Sequence, residues 1–162
     1  MGIGEVFDLW AMATMEFDLP EVFWALCHKA AAKVQEFNSQ DIANTLWAMA
    51  KMKFDLPEVF RALCHEAAAK VQDFNSQEIA NTLWAMATMK VDLPEVFQAL
   101  CHEAAAKVGD FNSQEIAHTL WAMATMKFDL LEVFQARCHK AAAKVRTSTR
   151  RRSQTLCGPW QR

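Results

Sequence analysis

The chain has 162 residues, of which 52% are apolar and 22% charged, so it is long and hydrophobic enough to bury a core and is not a disordered protein. We expect no membrane span, signal peptide or presequence, because no apolar run is long enough to cross a bilayer and no charged start precedes an apolar stretch. Charge is uneven: residues 1–145 carry a net charge of about −7, whereas residues 146–162 contain five Arg and no acid.

A tandem repeat of 37 residues organises the sequence. Four of the six Trp residues recur at this step, from Trp10 to Trp121. Residues 37–73 and 74–110 differ at five of 37 positions, and residues 74–110 and 111–147 differ at seven. A period in this range is typical of solenoids, in which each repeat packs against its neighbours.

The repeat divides the chain into two predicted regions. Residues 1–147 form a helical repeat array, and residues 148–162, which lack an apolar period, form a flexible basic tail. The predicted units of the array are a partial unit at 1–36 and complete units at 37–73, 74–110 and 111–147.

Each complete unit opens with the start signal of a helix, which we call helix A. Asn38 stands three residues before Asp41, the spacing of a capping box in which each side chain bonds the other residue's backbone amide. Helix A is predicted from about Ser39 to Met52. A second helix, helix B, is predicted to extend to about Gln72, with Pro57 in its first turn and Asp55 as its cap.

Both helices are amphipathic, and this decides the predicted fold class. Helix A places Ile42, Leu46 and Met49 on an apolar arc and leaves its polar residues opposite. Two short helices cannot cover both apolar arcs by themselves, so each hairpin must stack on the next. The prediction is an all-α superhelix, or solenoid, of about four helical hairpins.

Repeated Cys-His pairs invite a zinc or redox interpretation, which the spacing does not support. Adjacent residues of a helix point about 100 degrees apart, so a pair such as Cys64 and His65 cannot chelate one metal. We expect the Cys side chains of helix B to be buried and the His side chains to be exposed. We find no catalytic motif or phosphate-binding loop, and we expect no catalytic residue, no metal ligand, no cofactor and no enzyme activity.

The polar side of helix A is the best candidate for a contact surface. It contains Gln40, Asn44 and Lys51, then Gln77, Asn81 and Thr88, then Gln114, His118 and Thr125. This polar side is predicted to be centred on Ala48 and its equivalents, whose small size would admit a flat ligand. It is equally consistent with plain solvated surface. The repeated Trp is predicted to pack between repeats, with base stacking as the alternative.

The helix A segments resemble a known repeat. Residues 37–50, 74–87 and 111–124 read Phe-Asn-Ser-Gln-Asp/Glu-Ile-Ala-Asn-Thr-Leu-Trp-Ala-Met-Ala, with His118 replacing the second Asn in the last. This series resembles the octotricopeptide repeat, a family related to repeats in the FAST-kinase-like and RAP-domain proteins of organelle RNA metabolism.

The resemblance implies a superhelix whose inner face, lined by helix A, binds single-stranded RNA with roughly one nucleotide per unit. It also implies a chloroplast or mitochondrial location and a role in RNA processing, transcript stability or translation. Carried over residue by residue, the family's RNA-facing positions are Asn44, Thr45, Asn81, Thr82, His118 and Thr119.

Two functions remain open from the sequence. In the first, the chain binds single-stranded RNA, amide side chains read bases, and Lys51 and nearby Lys residues contact phosphates. In the second, it is a protein interaction scaffold, or a fragment of a larger array, whose open ends stack on another array or on a second copy. The resemblance favours the first function, and the net charge of residues 1–145 favours the second.

Overall fold

The computed structural model describes residues 11, 13, 14 and 20–128, and these residues form helices and turns without a strand. The prediction of an all-α fold is confirmed. The helices are α1 (Pro20–Ala32), α2 (Ser39–Lys51), α3 (Pro57–Ala69), α4 (Ser76–Met89), α5 (Pro94–Ala106) and α6 (Ser113–Thr125). Short 3-10 turns follow α1, α3 and α5, at Val34–Glu36, Val71–Asp73 and Val108–Asp110.

The helices stack as a solenoid of hairpins. The A helices α2, α4 and α6 form one row in which each helix packs against the next, and the B helices α1, α3 and α5 form a second row. Helices α2 and α3 pack as one hairpin, and α4 and α5 as the next. The A helices contact each other more extensively than the B helices do.

Capping boxes begin all three A helices, as predicted. The Asn38 side chain accepts a hydrogen bond from the Asp41 amide at 2.8 Å, and the Asp41 carboxylate accepts one from the Asn38 amide at 3.2 Å. The same reciprocal pair occurs between Asn75 and Glu78 and between Asn112 and Glu115. These bonds satisfy amides that the first turn of a helix otherwise leaves free.

The A helices end in a Schellman motif that carries a lysine instead of the usual glycine. In α2, the Phe54 amide donates to the Met49 carbonyl at 2.9 Å, and the Lys53 amide donates to the Ala50 carbonyl at 3.2 Å. Lys53 therefore adopts a left-handed conformation, with φ 51°, at a cost of about 1–2 kcal/mol. Lys90 and Lys127 do the same at the ends of α4 and α6.

The B helices differ from the prediction at both ends. The residue that precedes the first turn of α3 is Leu56, and no side chain caps that turn, so the prediction that Asp55 caps it is wrong. The reason is Pro57, which has no amide hydrogen to satisfy and holds Leu56 out of helical geometry. Helix α3 ends at Ala69 and gives way to the 3-10 turn, short of the predicted end at Gln72.

Packing on three sides buries more of helix A than a two-helix hairpin would. Ile42, Leu46 and Met49 are fully buried, as predicted. Ala48 is also fully buried, as are its equivalents Ala85 and Ala122, so the prediction that alanine forms the centre of an exposed polar side is wrong.

A partly buried polar cluster joins each of the B helices α3 and α5 to the preceding unit. The Lys107 ammonium lies 3.0 Å from the Glu103 carboxylate and donates to the carbonyls of Gln72 and Phe74, each at 2.7 Å. The Gln72 amide completes the cluster by donating to Glu103 at 3.0 Å. Glu103 is only 8% exposed, so these bonds compensate the cost of burying its charge. Lys70 repeats the arrangement one unit earlier, with Glu66 and the carbonyls of Gln35 and Phe37.

Replacing Lys107 by Met should lower the free energy of unfolding by about 2–3 kcal/mol. The change removes charge-assisted hydrogen bonds and leaves Glu103 buried without its cation. Lys90→Met is the matched control, because Lys90 is exposed and makes no such bonds. Urea denaturation of the two variants measures the difference, and equal stabilities would show that the cluster contributes nothing.

The cysteines of the B helices are buried thiols. Cys27, Cys64 and Cys101 are free and inaccessible, whereas His28, His65 and His102 are exposed, as predicted. Burial raises the pKa of each thiol to about 12, because the thiolate would lose its hydration. Cys138, His139 and Cys157 lie outside the described residues.

The raised thiol pKa values predict a loss of stability at alkaline pH. The unfolded chain releases thiol protons above about pH 8.5, while the folded chain keeps them up to about pH 12, so stability is full below pH 8.5 and falls as pH rises. Urea denaturation at pH 7.5, 8.5 and 9.5 should show this fall, and the double variant Cys64→Ala and Cys101→Ala should show a shallower one. Identical slopes would contradict the assignment.

Candidate nucleic-acid interface

Packing leaves one narrow strip of α2 and of α4 in contact with solvent. On α2 this strip contains Gln40, Asn44, Trp47 and Lys51, whose spacing of four, three and four residues keeps them within an arc of about 60 degrees. We call these residues and their equivalents the solvent-facing stripe. The equivalents are Gln77, Asn81, Trp84 and Thr88 on α4, and Gln114, His118, Trp121 and Thr125 on α6.

Most of the predicted contact residues lie on this stripe. Gln40, Gln77, Gln114 and Lys51 are exposed. Asn44, Asn81 and His118 are partly exposed.

The three threonines taken from the family resemblance do not lie on it. Thr45, Thr82 and Thr119 are fully buried, so they cannot contact a ligand that approaches from solvent. Thr82 and Thr119 occupy the side of α4 and α6 that packs against the preceding A helix, together with the buried alanines Ala85 and Ala122. Small side chains at these positions allow the A helices to approach closely.

The repeated Trp side chain of helix A is more exposed than the sequence predicts. Trp47 and Trp84 are partly buried and pack against the edge of the core, whereas Trp121 is 47% exposed. The predicted packing between repeats therefore holds for only part of each ring, and the remainder faces solvent beside the amide side chains.

A polar pocket lies between neighbouring stripes. It has a volume of about 170 Å³, room for about five water molecules, and it opens between α4 and α6. Six residues line it: Gln77, Asn81, Asn112, Gln114, Glu115 and His118. Four of them are predicted contact residues, so the fold brings together side chains that are up to 41 positions apart.

An aromatic pair borders this pocket. The ring centroids of Trp84 and His118 are 6.5 Å apart with an interplanar angle of 36°, a contact between successive A helices. Sequence reasoning treated Trp84 as packing and His118 as a variant of Asn, and it missed the pair because the contact depends on how the two helices pack.

The pocket residues differ in how much of their hydrogen-bonding capacity is used. Asn112 and Glu115 bond each other in the capping box, at 2.7 Å between side chains. Among the described residues, the side-chain amides of Gln77, Asn81 and Gln114 have no hydrogen-bond partner. These amides offer both donors and acceptors to a ligand.

The ends of the stripes carry positive charge. Lys53, Lys90 and Lys127 are exposed at the carboxyl ends of the three A helices, one per unit. Nothing in the described ranges brings three His, Cys, Asp or Glu side chains close enough to share a metal ion. None of the helices described here combines the length and the hydropathy that a bilayer crossing demands.

Stacked helical hairpins with a polar and aromatic stripe on each A helix define an α-solenoid repeat protein. A comparison with family models identifies the particular family: residues 2–155 match the RNA-editing substrate-binding complex 6 protein, so the chain belongs to that family. No curated protein sequence matches the chain. The family is RNA-related, and the narrower octotricopeptide assignment stays a prediction.

The buried threonines differ in their hydrogen bonding, and substitution tests this difference. The Thr82 hydroxyl is buried without a partner, whereas the Thr45 hydroxyl donates to the Asp41 carbonyl at 2.8 Å. Thr82→Val should stabilise the protein by about 1 kcal/mol, because it removes an unsatisfied polar group, and Thr45→Val should not. Urea denaturation compares the two, and a loss of stability in Thr82→Val would show that its hydroxyl is bonded.

Proposed function

We propose that the chain binds single-stranded RNA along the solvent-facing stripes of its A helices, as a helical-repeat component of an RNA-processing assembly. The observation that carries the proposal is the pocket between α4 and α6, where unbonded amides from both helices converge beside an aromatic pair. Unpaired bases are recognised in this way, by hydrogen bonds to their edges and by stacking.

The family match supports RNA as the ligand, since the matched family is described as an RNA-editing substrate-binding complex protein. The exposed Lys at the end of each A helix supplies one cation per unit for phosphate contacts. With three or four units at about 1–3 kcal/mol per base, less the cost of ordering the RNA, binding by this chain alone is weak, nearer micromolar than nanomolar.

We further propose binding without catalysis, since the stripe offers amides, rings and ammonium groups to a ligand. Residence in a mitochondrion or chloroplast, and a role in processing, stability or translation of transcripts, stay predictions that rest on the octotricopeptide resemblance.

The proposal is tested by removing two stripe amides. The double variant Asn44→Ala and Asn81→Ala should weaken binding of a short unstructured RNA about 5- to 30-fold, as expected for the loss of two hydrogen bonds. Gln98→Ala, an exposed amide on the B helix α5, is the matched control. Equal affinities of the double variant and the control, measured by fluorescence anisotropy, would reject the stripe as the RNA surface.

Salt dependence provides a second arm of the same experiment. Replacing Lys53, Lys90 and Lys127 by Gln should reduce the slope of log K against log salt by about 2, since each contact with a single strand contributes about 0.7. An unchanged slope would exclude these lysines as phosphate contacts.

A protein interaction function is the second candidate, and one observation favours it. Leu120 and Trp121 on α6 are 38% and 47% exposed, whereas Leu46 and Leu83, the equivalents of Leu120, are fully buried against the next A helix. This open apolar side of α6 is suited to another helix of the same kind. Sedimentation of the samples used for RNA binding separates the two functions, because a scaffold would self-associate, or bind protein, without binding RNA.

A further inference from the structure

The pocket between α4 and α6 has a property that the boundary between α2 and α4 lacks. At the position that is Asn44 in α2 and Asn81 in α4, α6 carries His118. The imidazole ring of His118 lines the pocket and also contacts the Trp84 ring. One wall of the pocket is therefore aromatic and backed by a second ring, while three unbonded amides lie around it.

Helix spacing explains why an aromatic wall matters at this place. Neighbouring packed helices lie about 8–10 Å apart, whereas stacked bases rise by about 3.4 Å, so bases held by successive A helices cannot stack on one another. Protein side chains must supply the missing stacking surface. An imidazole ring beside a base supplies part of the lost stacking contact, and an asparagine at the same position does so less well.

We propose that this pocket binds one unpaired nucleobase, which stacks on His118 and directs its edge to the amides of Gln77, Asn81 and Gln114. Trp84 is a positioning residue that supports the His118 ring from the other side. The pocket is consequently the strongest base-binding position among the described units. The inference rests on the proposed function, because it assigns a single nucleobase to one point of the RNA surface.

The repeat itself supplies a substitution that preserves the fold. His118→Asn gives α6 the residue that α2 and α4 already carry at this position. The variant should unfold at the temperature of the unmodified chain. A difference in RNA affinity therefore reports on the ring and not on stability.

The experiment compares two probes of equal length and charge: an unstructured RNA oligonucleotide of mixed sequence, and a ribose-phosphate oligomer that lacks every base. The unmodified chain should bind the base-bearing probe at least fivefold more tightly, the lower limit for one stacked base. His118→Asn should lose most of that advantage and bind the abasic probe as before.

Nuclear magnetic resonance gives an independent readout of the site. The ring-proton signals that disappear in His118→Asn belong to His118, and they should shift when the base-bearing probe is added to the unmodified chain. Base-dependent binding without this shift, or without an effect of His118→Asn, would overturn the pocket while leaving RNA binding in place. Equal binding of both probes would also overturn it and would leave contacts to phosphates alone. Failure of both probes to bind would reject the proposed function and the pocket together.

Discussion

The packing of one A helix directly on the next is the interaction on which the rest of the structure depends. Alanine and threonine at the contact, such as Ala85 and Thr82, let the helices approach closely and are fully buried by that approach. Each internal A helix is then enclosed by two neighbours of its own kind and by a B helix. What remains exposed on α4 is a single strip, so the surface that we propose for RNA binding is a direct consequence of the packing.

This arrangement separates stability from recognition along one short helix. Ile79, Leu83 and Met86 hold the core, while Gln77, Asn81 and Trp84 alternate with them in sequence and face solvent or the edge of the core. The polar clusters of Lys70 and Lys107 lie at the carboxyl ends of the B helices α3 and α5, and they join units without using stripe residues. Substitutions in the stripe can therefore change binding with little effect on the fold.

Much of the fold could be predicted because its signals are local. The Asn38–Asp41 capping box, the position of Pro57 and the 37-residue period depend only on nearby residues and on copying. The predictions are wrong where a third helix covers a surface that a two-helix hairpin would leave exposed. A helical wheel with one buried side leaves Ala85 and Thr82 open to solvent, whereas a second A helix covers both. The bonds from Lys70 to the carbonyls of Gln35 and Phe37 span more than 30 residues, and no local pattern indicates them.

The near-identity of the units has a consequence for how a chain-like ligand is aligned. A linear ligand displaced by one unit, from α2 to α4, meets the same Gln, Asn and Trp again, so the two alignments are nearly degenerate in energy. The affinity of such a surface depends on the length of the ligand more than on the order of its subunits. On the proposed RNA surface, His118 removes this degeneracy at one step of the described array and thereby fixes the register of the ligand.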